Sequence, residues 1–522
     1  MEIVQDQHTA LQELKTALRH SLVYGVGNML SKAIGFFMLP FYTHYLTPEN
    51  YGVLEILDLS MSLLGMFLTM GLIAAVLRRY AAARTNHDKN AVISSAFLFV
   101  LATGLVTFSV GCVFVPAVSK LMFGPGIPPL YLFLSFATLV CTYMTLVPRT
   151  YLRALEKSTA FTVVDNLGLV AMLSLNIYFI AVAKLGVLAI LLSSFIVGVS
   201  QLLILSTWAS RRVGLHFNAA SLWQILRFGV PLTFSNLGLF ALNFSDRFFL
   251  KRMTDLSTVG TYAVSYKFAY MMNFLVVQPF FVMWQARMYK VHAQPNYERI
   301  FGQIFRLYAL LLTFLGLGLS LFSPEIVHTM VRSSFFAGQA IIPIVVLAYV
   351  FWGIGFYGQT GMFLTNHTRM IGILGAAAAM LNLPLNYLLI RRDGMLGAAW
   401  ATLLSFAALA LGSFALSHRV FPMHLGTARV ALGIVSGILI YGFSTWHAPT
   451  SLVAVLLEKA GLLVAFPVLL WQFRIIAADE RHLIRGLWKR GLARFSPTRS
   501  PVPKKDEALQ VVSAVAVDEG TN

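Results

Sequence analysis

The sequence predicts an all-α membrane protein of about fourteen transmembrane helices, at roughly 20 apolar residues per crossing. These fall into two pseudo-symmetric six-helix lobes plus two C-terminal helices. Three observations carry this. Of 522 residues, 58% are hydrophobic and 11% charged, and the mean hydropathy is +0.74; a soluble domain carries about 25% charged residues. Apolar runs long enough to span fill most of the chain. Motifs of the first half also return in the second, near two hundred and ten residues on.

The spans are predicted at residues 21–46, 51–77, 91–118, 128–148, 160–183, 186–208, 221–245, 258–286, 300–322, 338–363, 370–390, 396–417, 427–445 and 451–473. Grouped, they give an amphipathic cytoplasmic N-terminus (1–20), an N-lobe (21–208), a C-lobe (221–417), two further helices (427–473) and a basic, disordered tail (474–522). In the N-terminus Leu11, Leu14 and Leu18 fall at helical spacing, as in a helix lying on a membrane surface. No cleaved signal peptide is expected, because acidic and amide residues precede the first basic one.

Orientation follows from Lys and Arg, which concentrate in cytoplasmic loops. Alternate loops hold Lys15 and Arg19; Arg78, Arg79, Arg84 and Lys89; Arg149, Arg153 and Lys157; Arg211, Arg212 and Arg227; Arg287, Lys290, Arg299 and Arg306; Arg369; Arg419 and Arg429. The opposite loops hold only Lys120, Lys184, Lys251, Arg252, Arg332, Arg391 and Arg392. Both termini are therefore expected in the cytoplasm, and the net charge of +18 reads mostly as a topology signal. Basic residues spread over many loops do not form a nucleic-acid interface. Cys112 and Cys141 lie in apolar runs and read as packing residues, not as a disulfide or metal pair.

The repeat aligns Gly52 with Gly260, Gly71 with Pro279 and Arg79 with Arg287. "LNIYFIAVAKLGVLAILLSS" (Leu175–Ser194) lies over "LNYLLIRRDGMLGAAWATLLS" (Leu385–Ser405), pairing Asn176 with Asn386, Gly186 with Gly397 and Ser194 with Ser405. Six spans separate each copy from its partner, so the copies run the same way, related by an axis along the membrane normal. Locally, Thr47 is placed to cap the second span, Pro48 suits its first position and Gly52 allows a close helix approach.

"LTPENYGVLEI" after the first span, "FSDRFFLKRM" at the end of the seventh and "LNYLLIRRDGMLGAAWAT" across the eleventh and twelfth resemble the oligosaccharide flippases of bacterial polysaccharide biosynthesis. These are members of the multidrug/oligosaccharidyl-lipid/polysaccharide exporter superfamily. The resemblance covers roughly residues 15–475. It implies a protein of the bacterial inner membrane that moves undecaprenyl-pyrophosphate-linked oligosaccharide units to the periplasmic leaflet. It also implies a cationic cavity between the lobes, and products that feed O-antigen, capsule or exopolysaccharide. Lipid-linked oligosaccharide and membrane lipid are the partners expected, with polysaccharide polymerase and chain-length proteins downstream.

Charges inside spans are costly and mark candidate sites. Lys32 lies deep in the first span and Lys267 within the eighth; each is a candidate phosphate contact or a partner for a nearby carboxylate. Glu55 and Asp58 share one face of the second span, where they either receive a proton or sodium ion or neutralise Lys32 and Lys267. Asp246 and Arg247 end the seventh span. They read as a lobe-gating ion pair or as a pair snorkelling to the interface. Arg79 and Arg287, repeat partners at the inner mouth, and Arg149 and Arg153 at the inner end of the fourth span could attract an anionic head or serve as positive-inside anchors. Asp165 is a candidate partner for Arg149 or Arg153. Tyr42, Tyr45, Tyr262, Tyr266, Tyr270 and Trp284 fit sugar stacking or an interfacial belt.

The sequence carries no P-loop, metal motif or nucleophile–base constellation, so no cofactor beyond a coupling H+ or Na+ and no enzyme activity is expected. Two alternatives remain. One is a multidrug or small-molecule cation antiporter of the same superfamily. The other is a membrane-embedded polysaccharide polymerase or ligase, a class whose large catalytic outer loop this chain lacks. A non-transporting scaffold on the same fold is also compatible with the sequence.

Overall fold

The computed structural model describes residues 34–423, 425–447, 451–476 and 480–481. Lys32, the N-terminal amphipathic segment and the tail beyond Arg481 lie outside the described residues. Within them the chain is helical throughout, with no strand. Eleven of these helices are long and apolar enough to cross a membrane, which makes the chain a multi-pass all-α membrane protein. The expected count of fourteen is not established by length and composition. The first span begins outside the described residues, and the segments predicted as the seventh and eighth spans are not among the eleven.

The first half contains α1 (Leu39–Tyr45), α2 (Pro48–Thr69), α3 (Leu72–Ala82), α4 (Asn86–Phe123), α5 (Pro129–Met144), α6 (Leu146–Ala154), α7 (Ser158–Ile177) and α8 (Val187–Val213). The second contains α9 (Ala219–Met253), α10 (Leu256–Met272), α11 (Gln278–His292), α12 (Tyr297–Met330), α13 (Ile342–Gly358), α14 (Thr360–Leu364), α15 (Thr368–Asp393) and α16 (Met395–Val420). The pair α17 (Thr427–Trp446) and α18 (Leu452–Gln472) follows and packs on α12. The buried cores are centred in one half or the other, and the largest also takes in Leu39, Tyr51 and Ile56 of the first half. In the first half, Phe97, Val100 and Tyr151 form one and Leu57, Phe136 and Leu191 another; in the second, Phe305, Tyr349, Tyr357 and Phe406 pack together.

The repeated turn begins a helix the same way in both halves. Thr47 Oγ1 accepts from Asn50 N at 3.2 Å with Pro48 leading α2, and Asp255 accepts from Thr258 N at 2.8 Å to start α10. Each satisfies an amide that the first helical turn leaves unpaired. The partners Gly71 and Pro279 also occupy equivalent helix defects, made by different chemistry. Met70 (φ 41°) and Gly71 (φ 63°) are both left-handed and break α2 from α3. In the second half a π-helical turn, Asn273–Val277, precedes Pro279 and absorbs the ring that a regular helix would clash with.

One repeat alignment is corrected. Gly186 (φ 58°, ψ −127°) matches Gly394 (φ 55°, ψ −124°), not Gly397. Both sit immediately before the next helix in a conformation open to glycine, so Ser194 then faces Thr402 in the alignment, not Ser405. The π-helical turn Tyr178–Val182, present only in the first copy among the described residues, widens the helix there and shifts the register.

The two halves meet at both ends of the bundle. At the end holding Pro48, α2 and α10 cross at Gly52 and Gly260: a Cβ on Gly52 would overlap the Leu256 carbonyl oxygen, and one on Gly260 the Pro48 carbonyl oxygen. Lys251 donates to Met122 O at this end, and Arg332 to His44 O at 3.4 Å. At the end holding Ala82, Gly71 packs on Gly229 without room for a Cβ on either. The connection between the halves is fastened to α4, where His216 N and Asn218 N donate to the Ser94 and Ser95 hydroxyls at 2.7 Å each.

Candidate functional site between the halves

About 28 Å of helix separates Gly52 from Gly71 at 1.5 Å per residue, and the membrane-embedded charges of α2 lie in that interval. Glu55 and Asp58 are one turn apart on α2, facing α9 and α10. From α9, Arg247 directs its Nε at Glu55 Oε1, 3.7 Å away, across the two halves. The same guanidinium donates from Nη1 to Asp246 Oδ1 at 2.7 Å and to Asn243 O at 2.9 Å. Tyr262 OH donates to Asp246 Oδ2 at 2.6 Å, and the Arg247 guanidinium lies 3.9 Å from the Tyr266 ring centroid. Tyr349 OH completes the chain by donating to Tyr266 OH at 3.0 Å. Arg247 and Asp246 are 2% and 3% exposed, so the pair does not snorkel to the interface. Hydrogen bonds and ring faces inside the bundle replace water around both charges, and this is what makes burying them tolerable.

The second cross-half contact is Lys267 Nζ, which donates to Tyr51 OH at 2.7 Å from α10 to α2. Lys267 also lies within electrostatic reach of Glu55 and Asp58. Lys267 and Asp58 remain solvent-exposed although protein surrounds them and their helix neighbours are buried. Open space therefore lies between the halves at this level. Counting formal charges, Glu55, Asp58 and Asp246 outnumber Lys267 and Arg247 by one, so the described part of the site is not cationic. In the first half, Asn176 donates to Tyr42 OH at 2.9 Å.

The expected arginines are dispersed. Arg149 donates to Asp165 Oδ1 and Gln201 Oε1, both at 2.6 Å, and so ties α6 to α7 and α8. Arg153 stacks on Phe161 at 4.4 Å. Arg79 is half-buried on α3 and Arg287 exposed on α11, both near the Ala82 end and apart from Arg247. Of the aromatic candidates, Tyr262, Tyr266 and Trp284 are core residues and Tyr45 is exposed.

Residues 17–283 match the family described as polysaccharide biosynthesis protein, just over half of the chain. The chain belongs to that family. Among curated relatives, a Haemophilus influenzae protein of the Lsg locus is 24% identical over 259 residues, 49% of this chain and 62% of that one. The match thus spans less than two thirds of the relative's length. A solved structure of the lipid II flippase MurJ in an inward closed conformation superposes with a TM-score of 0.68 at 13% identity, covering 87% of this chain and 100% of that one. An inward-facing multidrug transporter of the MATE family, in the MOP superfamily, gives 0.60 at 14% identity, covering 74% and 93%. These establish the fold that this polysaccharide biosynthesis family member shares with both transporters.

Residue patterns did not single out Tyr51 or Tyr349, nor a buried polar cluster of this family member on α9, α15 and α16. There Ser245 donates to Asn382 Oδ1 at 3.0 Å, Asn382 to Ser405 Oγ at 3.0 Å, and Asn386 to Asn382 Oδ1 at 2.8 Å. The signal was available: Asn382 and Asn386 stand one turn apart in an otherwise apolar span.

Proposed function

We propose that this protein is a flippase of the bacterial inner membrane for undecaprenyl-pyrophosphate-linked oligosaccharide units, working by alternating access of its two halves. The observation that supports the reading best is the polar seam between them. Glu55–Arg247 and Tyr51–Lys267 are contacts that one half makes with the other, beside an open space and between two glycine crossings. Packed interfaces of this kind switch between discrete arrangements, and separating α2 from α10 would expose the interior charges to the Pro48 side. In this reading that side is periplasmic, both termini are cytoplasmic, and polymerase and chain-length proteins act on the delivered units.

One observation favours a second reading, a cation-coupled antiporter: carboxylates exceed cations in the described site. Flipping coupled to H+ or Na+ accommodates it, since a bound cation would balance the excess. The test is reconstitution in proteoliposomes carrying lipid-linked oligosaccharide in both leaflets, with a periodate-type reagent outside reporting sugar that reaches the outer leaflet. Protein-dependent oxidation of the sugar that starts in the inner leaflet is expected. Transport of small cations with no movement of the lipid would overturn the flippase reading.

A further inference from the structure

At the Ala82 end, remote from the seam, the first turns of α12, the last turn of α16 and the start of α17 enclose an open cavity of about 750 Å³. Arg306, His418 and Arg429 line it together with Phe421 and Leu425. Arg306 is fixed there, donating to Leu425 O at 3.4 Å, and the fully buried Glu480 carboxylate accepts from Arg306 Nε. His418 and Arg429 stand exposed at the rim.

We propose that this cavity binds the phosphate of an anionic phospholipid headgroup, and that Glu480 is a built-in competitor occupying the same guanidinium. The chemistry is that of a planar fork reading two anion oxygens. Glu480, seated on Arg306 beside the cavity, shows that this guanidinium accepts an anion oxygen. The rim adds basic groups where a headgroup would lie, and the apolar lining suits the adjoining glycerol and acyl carbons. The cavity stands at the end of the bundle richest in Lys and Arg, where anionic lipids bind polybasic surfaces. Lipid phosphate and Glu480 compete for the Arg306 guanidinium, so the Glu480 contact weakens lipid binding.

The full-length protein, delipidated in detergent, is titrated with short-chain phosphatidylglycerol, with phosphatidylcholine and with inorganic phosphate, and retained ligand is read by native mass spectrometry. Phosphatidylglycerol is expected to be retained over phosphatidylcholine. E480Q, nearly isosteric, should raise phosphatidylglycerol affinity about tenfold, within the usual range for coupled ligands. R429A, at an exposed position, should lower it about fivefold. Equal retention of the two lipids, or an E480Q affinity no higher than wild type in a protein that melts normally, would overturn the proposal. Binding of inorganic phosphate with no preference for phosphatidylglycerol would overturn the lipid assignment.

Discussion

Arg247 on α9 faces Glu55 on α2 across the junction of the two halves, Nε to Oε1 at 3.7 Å, while its Nη1 donates to Asp246 at 2.7 Å and to the carbonyl of Asn243 at 2.9 Å. The guanidinium thus has one strong anchor within its own half and one weaker contact outside it. Opening the junction would break the second and keep the first. Glu55→Gln is expected to leave the protein folded and to favour the state open at the Pro48 end. Arg247→Met strips Asp246 of its partner inside the bundle and should destabilise by about 3–5 kcal/mol. Thermal unfolding in detergent, beside spin-label distances across the Pro48 end, separates the two. A Glu55→Gln protein with an unchanged distance distribution would show that the contact plays no part in closure.

The glycine crossing predicts a steric effect. A methyl at Gly260 would overlap the Pro48 carbonyl oxygen. That atom belongs to backbone and cannot rotate away, so α2 and α10 must separate, and overpacking of this kind costs about 1–3 kcal/mol. Gly260→Ala should lower the melting temperature. Gly442→Ala on α17, where a Cβ meets nothing within 4 Å, should not. Equal melting of both variants and wild type would mean that the crossing is loose.

The sequence made some of this legible and hid the rest for identifiable reasons. Thr47, Pro48 and Gly52 announced their roles because capping and close approach depend on residue type within a few positions. The glycine pairing itself, Gly52 against Gly260, was readable only as a repeat; that the two repeats touch each other is a tertiary fact. Arg247 was ambiguous because hydropathy charges the same cost to a buried cation whatever surrounds it. Only the fold brings Asp246, Tyr262 and Tyr266 around it. The mismatch of Gly186 with Gly397 arose because a π-helical turn absorbs residues without leaving a gap that a motif comparison can see.

Topology is open to a direct check. The turn after α15 is expected in the periplasm, and Asp393 there is partly exposed, with Arg392 Nε 3.6 Å away. In a variant lacking Cys112 and Cys141, Asp393→Cys should react with a membrane-impermeant maleimide on cells with permeabilised outer membranes. Reaction only after disruption of the inner membrane would invert the whole assignment, since each helix fixes the direction of the next.

Coupling is the last expectation, and it turns on the two carboxylates of α2. Glu55 and Asp58 lie one turn apart with Lys267 in electrostatic reach of both, and Asp58 is open to solvent. A proton or sodium ion bound there would cancel the excess negative charge and weaken the hold of Glu55 on Arg247. A ligand shifts a two-state equilibrium only through its differential affinity, about 1.4 kcal/mol for each tenfold. Replacing both by their amides, Glu55→Gln with Asp58→Asn, should imitate the occupied state and give transport that ignores an imposed ion gradient. Were the carboxylates present only to balance cations, the same change would leave Lys267 and Arg247 short of counter-charge, and yield and melting temperature would fall. Transport in proteoliposomes with and without the gradient, measured beside protein yield, distinguishes the outcomes. A stable double variant that still follows the gradient would remove α2 from the coupling mechanism.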